Sequence, residues 1–191
     1  MNLSAMTATP ATGDESYLDD AALLARTVRP YAAKGAVYLT AAQVNSVDGE
    51  VVTEGSLGIA ESCYIDDTGH FNAAEFVISY NQMIYLTLAT AVRDRLIPEL
   101  AGWTMDDYWR RQLPNVLITR MTTRFRRPIE PSAYRGRLVV TDTAFRNRSQ
   151  PVIGLQTTIT FTDDHGGAAF GDVEIALTDP PLTSWSTDAD R

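Results

Sequence analysis

A long apolar segment in the middle of the chain constrains the fold more than any other feature. Residues 76–92 read FVISYNQMIYLTLATAV and are apolar around most of a helical wheel. The segment contains Asn81 and Gln82, follows Glu75 directly, and is shorter than the ~20 clean apolar residues that a membrane span needs. Because a helix that is apolar nearly all round must be covered on most sides, we expect a buried core helix and no membrane insertion.

The residues before this helix predict a helix and a hairpin. Residues 18–31 have an amphipathic pattern with two Asp at the start, which predicts a short helix ended by Pro30. Residues 36–47 predict a strand, and the VDGE turn that follows predicts a hairpin with residues 49–59. The buried helix itself is predicted over residues 73–96.

After the buried helix the pattern changes from helical to extended. A short helix is predicted at residues 104–113, with Thr104 as its cap and Asp107 three residues later. Four β-rich runs follow, separated by Pro, Gly, Ser and Asp turn residues; they are 115–129, 134–147, 151–164 and 168–179. One long apolar helix against one antiparallel sheet is an α+β layout, and a curved sheet wrapped around that helix is the hot-dog fold.

The length of 191 residues suits one domain, which we place at residues 17–180. The polar ends, residues 1–16 and 181–191, are predicted to be disordered tails, and the first lacks the features of a signal peptide. The net charge of -8 makes nucleic acid a poor partner. Cys63 is the single cysteine, which excludes an internal disulfide and favours a reducing cytoplasm. Nothing in the pattern calls for a metal or an organic cofactor.

The stretch ESCYIDDTGHFNAAEF, residues 61–76, brings polar groups to the start of the buried helix. Asn72 is a good helix N-cap, and Glu75 lies three residues later, the spacing of a capping box. A helix N-terminus also offers free N–H groups to an anion, so the developing charge on a thioester oxygen would be stabilised there. Glu75 is therefore a cap residue, a general base, or both.

His70 stands two residues before the cap, and Gly69 allows a tight turn beside it. A neutral imidazole next to a helix N-terminus can shuttle a proton, so we expect His70 to be catalytic. His165 lies in a DDHGG turn and is discounted. Cys63 has no evident activating partner and is not expected to be a nucleophile.

The motif DDTGHFN resembles the loop of small hot-dog thioesterases, in which an Asp precedes a Gly-His pair, an Asn and the central helix. Asp66 occupies the position of the Asp that acts there as base or nucleophile. The alternative is that Asp66 only forms a turn.

Arginine is concentrated in one predicted strand of this acidic protein. On a strand, one face carries Arg120, Thr122, Arg124 and Arg126, and the opposite face carries Met121, Thr123 and Phe125. The plain explanation is an exposed polar face. The functional one is a binding patch for a phosphopantetheine phosphate, an acidic carrier protein or a substrate carboxylate, with Arg124 as its representative.

Five stretches together are similar to the actinobacterial FcoT-like group of hot-dog proteins: RPYAAKGAVYL, ESCYIDDTGHFNAAEFVISYNQ, GWTMDDYWRRQL, RFRRPIEP and DDHGGAAFGDVEIAL. The resemblance covers roughly residues 18–178. That group was first described as long-chain fatty acyl-CoA thioesterases. Some members add glycine to the β-carbon of a 2-enoyl thioester on an acyl carrier protein, in isonitrile lipopeptide and β-amino-acid polyketide pathways.

The resemblance implies a homo-oligomer and an acyl-thioester substrate. It also implies that Tyr31, Tyr64 and Asn72 contribute to the pocket. Asn81, a polar residue on an apolar helix, must find a partner and is a further candidate for lining the site.

Three functions remain open from the sequence. Conjugate addition of glycine needs a cation for the glycine carboxylate, such as Arg124, and His70 or Glu75 as base. It also needs donors for the enolate oxygen at the helix N-terminus near Asn72. Hydrolysis needs a water activated by Asp66 or Glu75 and the same donors. We favour glycine addition, because the chain has no strong nucleophile and much arginine near the predicted site. A non-catalytic acyl-binding protein is the third option.

Overall fold

A computed structural model describes residues 18–66, 68–146 and 150–181. Its helices are α1 (Asp20–Ala32), α2 (Ala73–Asp94) and α3 (Met105–Arg111), and a short 3-10 helix spans Pro98–Leu100. Its strands are β1 (Leu39–Val47), β2 (Glu50–Leu57), β3 (Val116–Arg127), β4 (Tyr134–Arg146), β5 (Val152–Thr162) and β6 (Ala168–Thr178). The predicted disordered tails, except Pro181, lie outside the described residues.

The strands form one antiparallel six-stranded sheet in the order β1-β2-β4-β5-β6-β3. The β1–β2 hairpin turns at Asp48 and Gly49, whose φ angles of 52° and 87° are those that the tightest hairpin turns require. In the described residues β3 has only β6 as a neighbour, so it forms an edge of the sheet.

Helix α2 lies against the sheet and is buried along most of its length. Phe76, Tyr80, Met83 and Ile84 have no exposed surface, as the apolar pattern predicts. Gln82 is also fully buried, and this polar residue is tolerated there because its side-chain amide is hydrogen-bonded. Its Nε2 donates to the carbonyl of residue 36, and its Oε1 accepts from the backbone N–H groups of residues 38 and 39. The buried helix packed against one antiparallel sheet confirms the predicted hot-dog fold. The hydrogen bonds of Gln82 hold the start of β1 against this helix.

Two predicted boundaries were wrong. Helix α1 does not end at Pro30 but continues to Ala32, because a proline in the last turn removes only one helical hydrogen bond. Strand β1 begins at Leu39 rather than residue 36, because the backbone groups just before it bind Gln82 instead of a neighbouring strand. None of the helices in the described ranges combines the length and the apolarity needed to cross a membrane.

Candidate active site

The loop between β2 and α2 is held against the segment that follows β3. The N–H of Ile59 donates to the carbonyl of Pro131 at 2.8 Å, and the N–H of Phe71 donates to the carbonyl of Ile129 at 3.0 Å. Both ends of the loop are therefore fixed to the same stretch of chain. This brings the start of α2 next to the arginine-rich end of β3.

Asn72 and Glu75 form the predicted capping box. The Asn72 Oδ1 accepts from the backbone N–H groups of Ala74 at 3.0 Å and Glu75 at 3.3 Å. The Glu75 Oε2 accepts from the Asn72 N–H at 3.0 Å. The hydroxyl of Tyr64 also donates to the Asn72 Oδ1, at 2.6 Å. Because this oxygen accepts three hydrogen bonds, the identity of the amide oxygen follows from its partners.

Two donors at this helix end are left unused. Among the described residues, no partner is found for the Asn72 Nδ2 or for the backbone N–H of Ala73, the first residue of α2. Both belong to residues that line the same cavity. With the helix dipole behind them, they form a site suited to an oxygen that gains negative charge.

The imidazole of His70 is fixed in one tautomer by the loop. Its Nδ1 lies 2.9 Å from the carbonyl oxygen of Thr68, which can only accept, so Nδ1 carries the proton. In the neutral ring Nε2 is then an unprotonated acceptor. The preceding Gly69 has φ 72°, a conformation that glycine adopts without strain, so the predicted tight turn is present. His70 is exposed and therefore accessible to a reactant.

A cavity of about 360 Å³ lies in front of the helix N-terminus. It is lined by His70, Phe71, Asn72 and Ala73 on one side and by Phe125, Arg126, Arg127 and Pro128 on the other. The cavity thus combines the residue that carries the imidazole, the residues of the two unused donors and two arginines. Among its described lining residues there is no carboxylate.

Glu75 lies behind the cap rather than in the cavity. The residue is only 3% exposed, and its Oε2 accepts a hydrogen bond from the Asn72 N–H. Beside it are the phenols of Tyr38 and Tyr134, whose pKa values are raised mainly by burial and further by the charge of Glu75. This arrangement fits the helix-cap interpretation of Glu75, and its role as a base stays a prediction.

The remaining loop candidates take different places. Tyr64 is half-exposed and holds the cap, as described above. Asp66 is exposed and does not line the cavity. The Cys63 Sγ accepts a hydrogen bond from the hydroxyl of Tyr38 at 3.4 Å. Arg124 lies in a neighbouring cavity on the outer face of the sheet.

Two candidates on helices are distant from this cavity within one chain. Tyr31 packs beside Tyr85, and burial together with that phenol raises the Tyr31 pKa. Tyr85 is twelve residues along α2 from Ala73, about 18 Å at 1.5 Å per residue. Asn81 is half-buried about 12 Å along the helix, and its side chain has no hydrogen-bond partner among the described residues. The structure therefore does not bring Tyr31 or Asn81 to the His70 cavity.

Sequence reasoning missed some of the residues in and around the cavity. The predicted arginine face included Arg126 and took Arg124 as its representative, but it did not include Arg127. Arg126 and Arg127 line the cavity, where a register shift between Phe125 and Arg127 breaks the regular alternation of β3. Ala73 carries no side-chain signal at all, since its contribution is a backbone N–H. The RFRRPI motif was the available signal for the two arginines.

Comparison with known proteins places the chain among hot-dog enzymes. The family model for the FcoT-like thioesterase domain matches residues 26–177. A protein of Mycobacterium tuberculosis named (2E)-enoyl-[ACP] glycyltransferase is 40% identical over 159 residues, covering 83% of this chain and 87% of that protein. Proteins with the same name are 38% identical in Mycobacterium marinum (91% and 94% covered) and 35% identical in Streptomyces coeruleorubidus (86% and 100% covered).

Among solved structures, thioesterase superfamily member 2 of Mus musculus is 8% identical, with a TM-score of 0.46, covering 81% of this chain and 94% of that one. The family match spans most of the chain, including the hairpin, the loop, α2 and all of β3 to β5. The chain therefore belongs to the FcoT-like thioesterase domain family.

Proposed function

We propose that this protein adds glycine to the β-carbon of a 2-enoyl thioester on an acyl carrier protein. The product is a 3-(carboxymethylamino)acyl thioester. The observation that carries the proposal is the 35–40% identity, over most of the chain, to proteins named enoyl-ACP glycyltransferases. The contents of the cavity support it independently.

The acyl thioester is oriented by the N-terminus of α2. Its carbonyl oxygen accepts from the Ala73 N–H and the Asn72 Nδ2, the two unused donors at this end. When an amine attacks the β-carbon, this oxygen gains charge as an enolate. Donors already in position stabilise that charge more than the neutral carbonyl, which lowers the barrier.

Glycine is held and activated between the two sides of the cavity. The Arg126 guanidinium binds its carboxylate, and the His70 Nε2 accepts a proton from its ammonium. The free amine forms the C–N bond while the electron pair of the double bond moves to the thioester oxygen. The imidazolium then returns a proton to the α-carbon, so the net change is one glycine added and nothing released.

Hydrolysis is the second candidate, because thioesterase is the description of the family. It requires an activated water. The carboxylates suggested for that role are Asp66, which does not line the cavity, and Glu75, which is buried in the cap. Among the described residues the cavity offers arginines for a carboxylate substrate and no acidic base, which favours amine addition over hydrolysis.

A homodimer is proposed as the working form. Strand β3 is a twelve-residue edge strand with exposed Leu117, Ile118 and Phe125 along it. A long edge strand presents a row of unpaired backbone N–H and C=O groups that can pair with another chain. Light scattering of the wild type and of Leu117→Lys/Ile118→Lys tests this, with a dimer expected only for the wild type. A monomeric wild type would disprove it.

Mass spectrometry tests the reaction directly. A 2-enoyl group on a carrier protein is incubated with the protein, with and without glycine. We expect a mass gain of one glycine on the carrier that depends on added glycine, with no free acid. Free acid formed regardless of glycine would identify a thioesterase, and an unchanged substrate would indicate a binding protein. His70→Gln is the matched inactive control.

A further inference from the structure

A second, larger cavity lies on the outer face of the sheet, beside the candidate active site. Its volume is about 690 Å³, and it lies across β3, β6 and the turn before β6. Its residues are Thr122, Thr123, Arg124, Arg126, Arg127, Gly166, Ala168, Phe170 and Asp172. Phe170 is 42% exposed, so the cavity offers an apolar ring as well as cations.

The arginines of this cavity form no ion pair within the described part of the chain. Arg124, Arg126 and Arg127 are exposed, and none forms an ion pair or a side-chain hydrogen bond with a described residue. Arg120, on the same strand, pairs with Glu174 at 3.4 Å. The net charge of the chain is -8, yet these cations cluster without forming ion pairs. Binding of an anion explains such a cluster better than a contribution to folding does.

The guanidinium of Arg127 lies close to the glycine turn before β6. Gly166 has φ 86°, and a Cβ placed there would lie 3.5 Å from an Arg127 guanidinium nitrogen. The guanidinium of Arg127 therefore lies against this turn and faces the outer cavity. Arg124 lies opposite Phe170 in the β3–β6 register, so both side chains share the outer face. Asp172 is the acidic residue among the described lining, set against three arginines.

The two cavities are adjacent and have two lining residues in common. Arg126 and Arg127 line both the His70 cavity and the outer one. A thioester whose carbonyl lies at the start of α2 has its acyl chain on one side of that carbonyl and its pantetheine arm on the other. The arm can therefore leave the active site over these arginines and reach the outer cavity.

We propose that Arg124 and Arg127 bind the phosphate of the 4′-phosphopantetheine arm of an acyl carrier protein in the outer cavity. This assignment rests on the proposed glycine addition to a carrier-bound thioester. Guanidinium groups bind phosphate oxygens with paired, charge-assisted hydrogen bonds, and an unpaired arginine need not break an existing ion pair to do so. Arg126 remains for the glycine carboxylate. Side chains stand perpendicular to the sheet, so pairing of a second copy along the β3 edge leaves this outer face open.

Calorimetric binding of two unreactive ligands tests the phosphate site. S-butyl-4′-phosphopantetheine and S-butyl-pantetheine differ only in the phosphate. For the wild type we expect the phosphorylated ligand to have a Kd lower by about tenfold or more, as charge-assisted hydrogen bonds imply. In Arg124→Gln/Arg127→Gln the two Kd values should agree within about twofold. Arg120→Gln, which alters a paired arginine of the same strand, should keep the wild-type difference.

Equal Kd values in the wild type, or a phosphate effect that survives in the double variant, would overturn the assignment. An S-butyl coenzyme A that binds more tightly than the S-butylated holo-carrier would overturn the choice of carrier as the source of the phosphate. Calorimetry needs no turnover, so these results are independent of the reaction. Glycine addition by the wild type to enoyl-pantetheine, which has no phosphate, is measured separately. Its absence would count against the proposed function and would leave the phosphate comparison unaffected.

Discussion

Replacing Glu75 by Gln distinguishes its two interpretations, helix cap and catalytic base. The glutamine oxygen can still accept the Asn72 N–H that the carboxylate accepts at 3.0 Å. The substitution removes a negative charge that the helix N-terminus stabilises by up to about 2 kcal/mol. It also removes the cost of burying that charge, which offsets part of the loss. We therefore expect a net loss of about 1 kcal/mol, which for a chain of this size lowers Tm by about 2–4 °C.

The rate of glycine addition should change little when Glu75 is replaced and should fall strongly when His70 is replaced. Glu75→Gln is expected to keep kcat within about fivefold, because Glu75 does not line the cavity. His70→Gln is expected to lower kcat by about 10²- to 10⁴-fold, the usual contribution of a general base. Since His70 is exposed, its replacement should change stability by less than about 0.5 kcal/mol.

Both variants are measured by glycine-dependent product formation and by thermal unfolding followed by circular dichroism. A loss of kcat above about 100-fold in a folded Glu75→Gln, together with an active His70→Gln, would refute the reasoning. It would mean that the buried carboxylate, and not the imidazole, takes the proton from glycine.

Three further predictions concern the cap, the core and the β5–β6 turn. Tyr64→Phe removes the 2.6 Å hydrogen bond to Asn72 at a half-exposed site, so we expect the protein to lose less than about 1 kcal/mol of stability. Because the phenol orients the Asn72 amide, kcat/KM should fall several-fold. An unchanged kcat/KM would show that the phenol does not orient the amide. Gly136→Ala places a Cβ 2.9 Å from a buried phenylalanine ring and should lower the free energy of unfolding in urea by about 1–3 kcal/mol. In Gly154→Ala the atom nearest to the new Cβ is 3.7 Å away, so stability should hardly change. Equal effects of the two substitutions would contradict this. The pKa of Asp163 is lowered chiefly by the backbone N–H of residue 130 and also by those of residues 167 and 165, so its contribution is present above about pH 4 and is lost as the pH falls through the lowered value. Asp163→Asn should lower Tm at pH 7 by more than it does at pH 2.5, and an equal decrease at both would refute the linkage.

Local rules in the sequence were sufficient for the elements and for the helix cap. The apolar pattern predicts α2, and the Asn72-to-Glu75 spacing predicts the capping box that the structure contains. The VDGE turn predicts the β1–β2 hairpin. These features depend on residues within a few positions of one another, which is why the sequence alone determines them.

The composition of the site depended on contacts between distant segments. The loop lies beside the end of β3 because Phe71 bonds to Ile129, and no local pattern encodes that pairing. The same is true of the β3 register shift, at which Arg126 and Arg127, and not Arg124, come to line the His70 cavity.

The sequence by itself determined a buried central helix, an antiparallel sheet around it and a polar loop ending in a capped helix N-terminus. Only the tertiary structure decided which polar groups of the loop lack a hydrogen-bond partner among the described residues. Glu75 is used by the cap and buried, whereas the Asn72 Nδ2 and the His70 Nε2 are left available. The physical reason is that hydrogen-bond partners and burial are set by packing between segments far apart in the chain, while residue type sets only what each group is able to do.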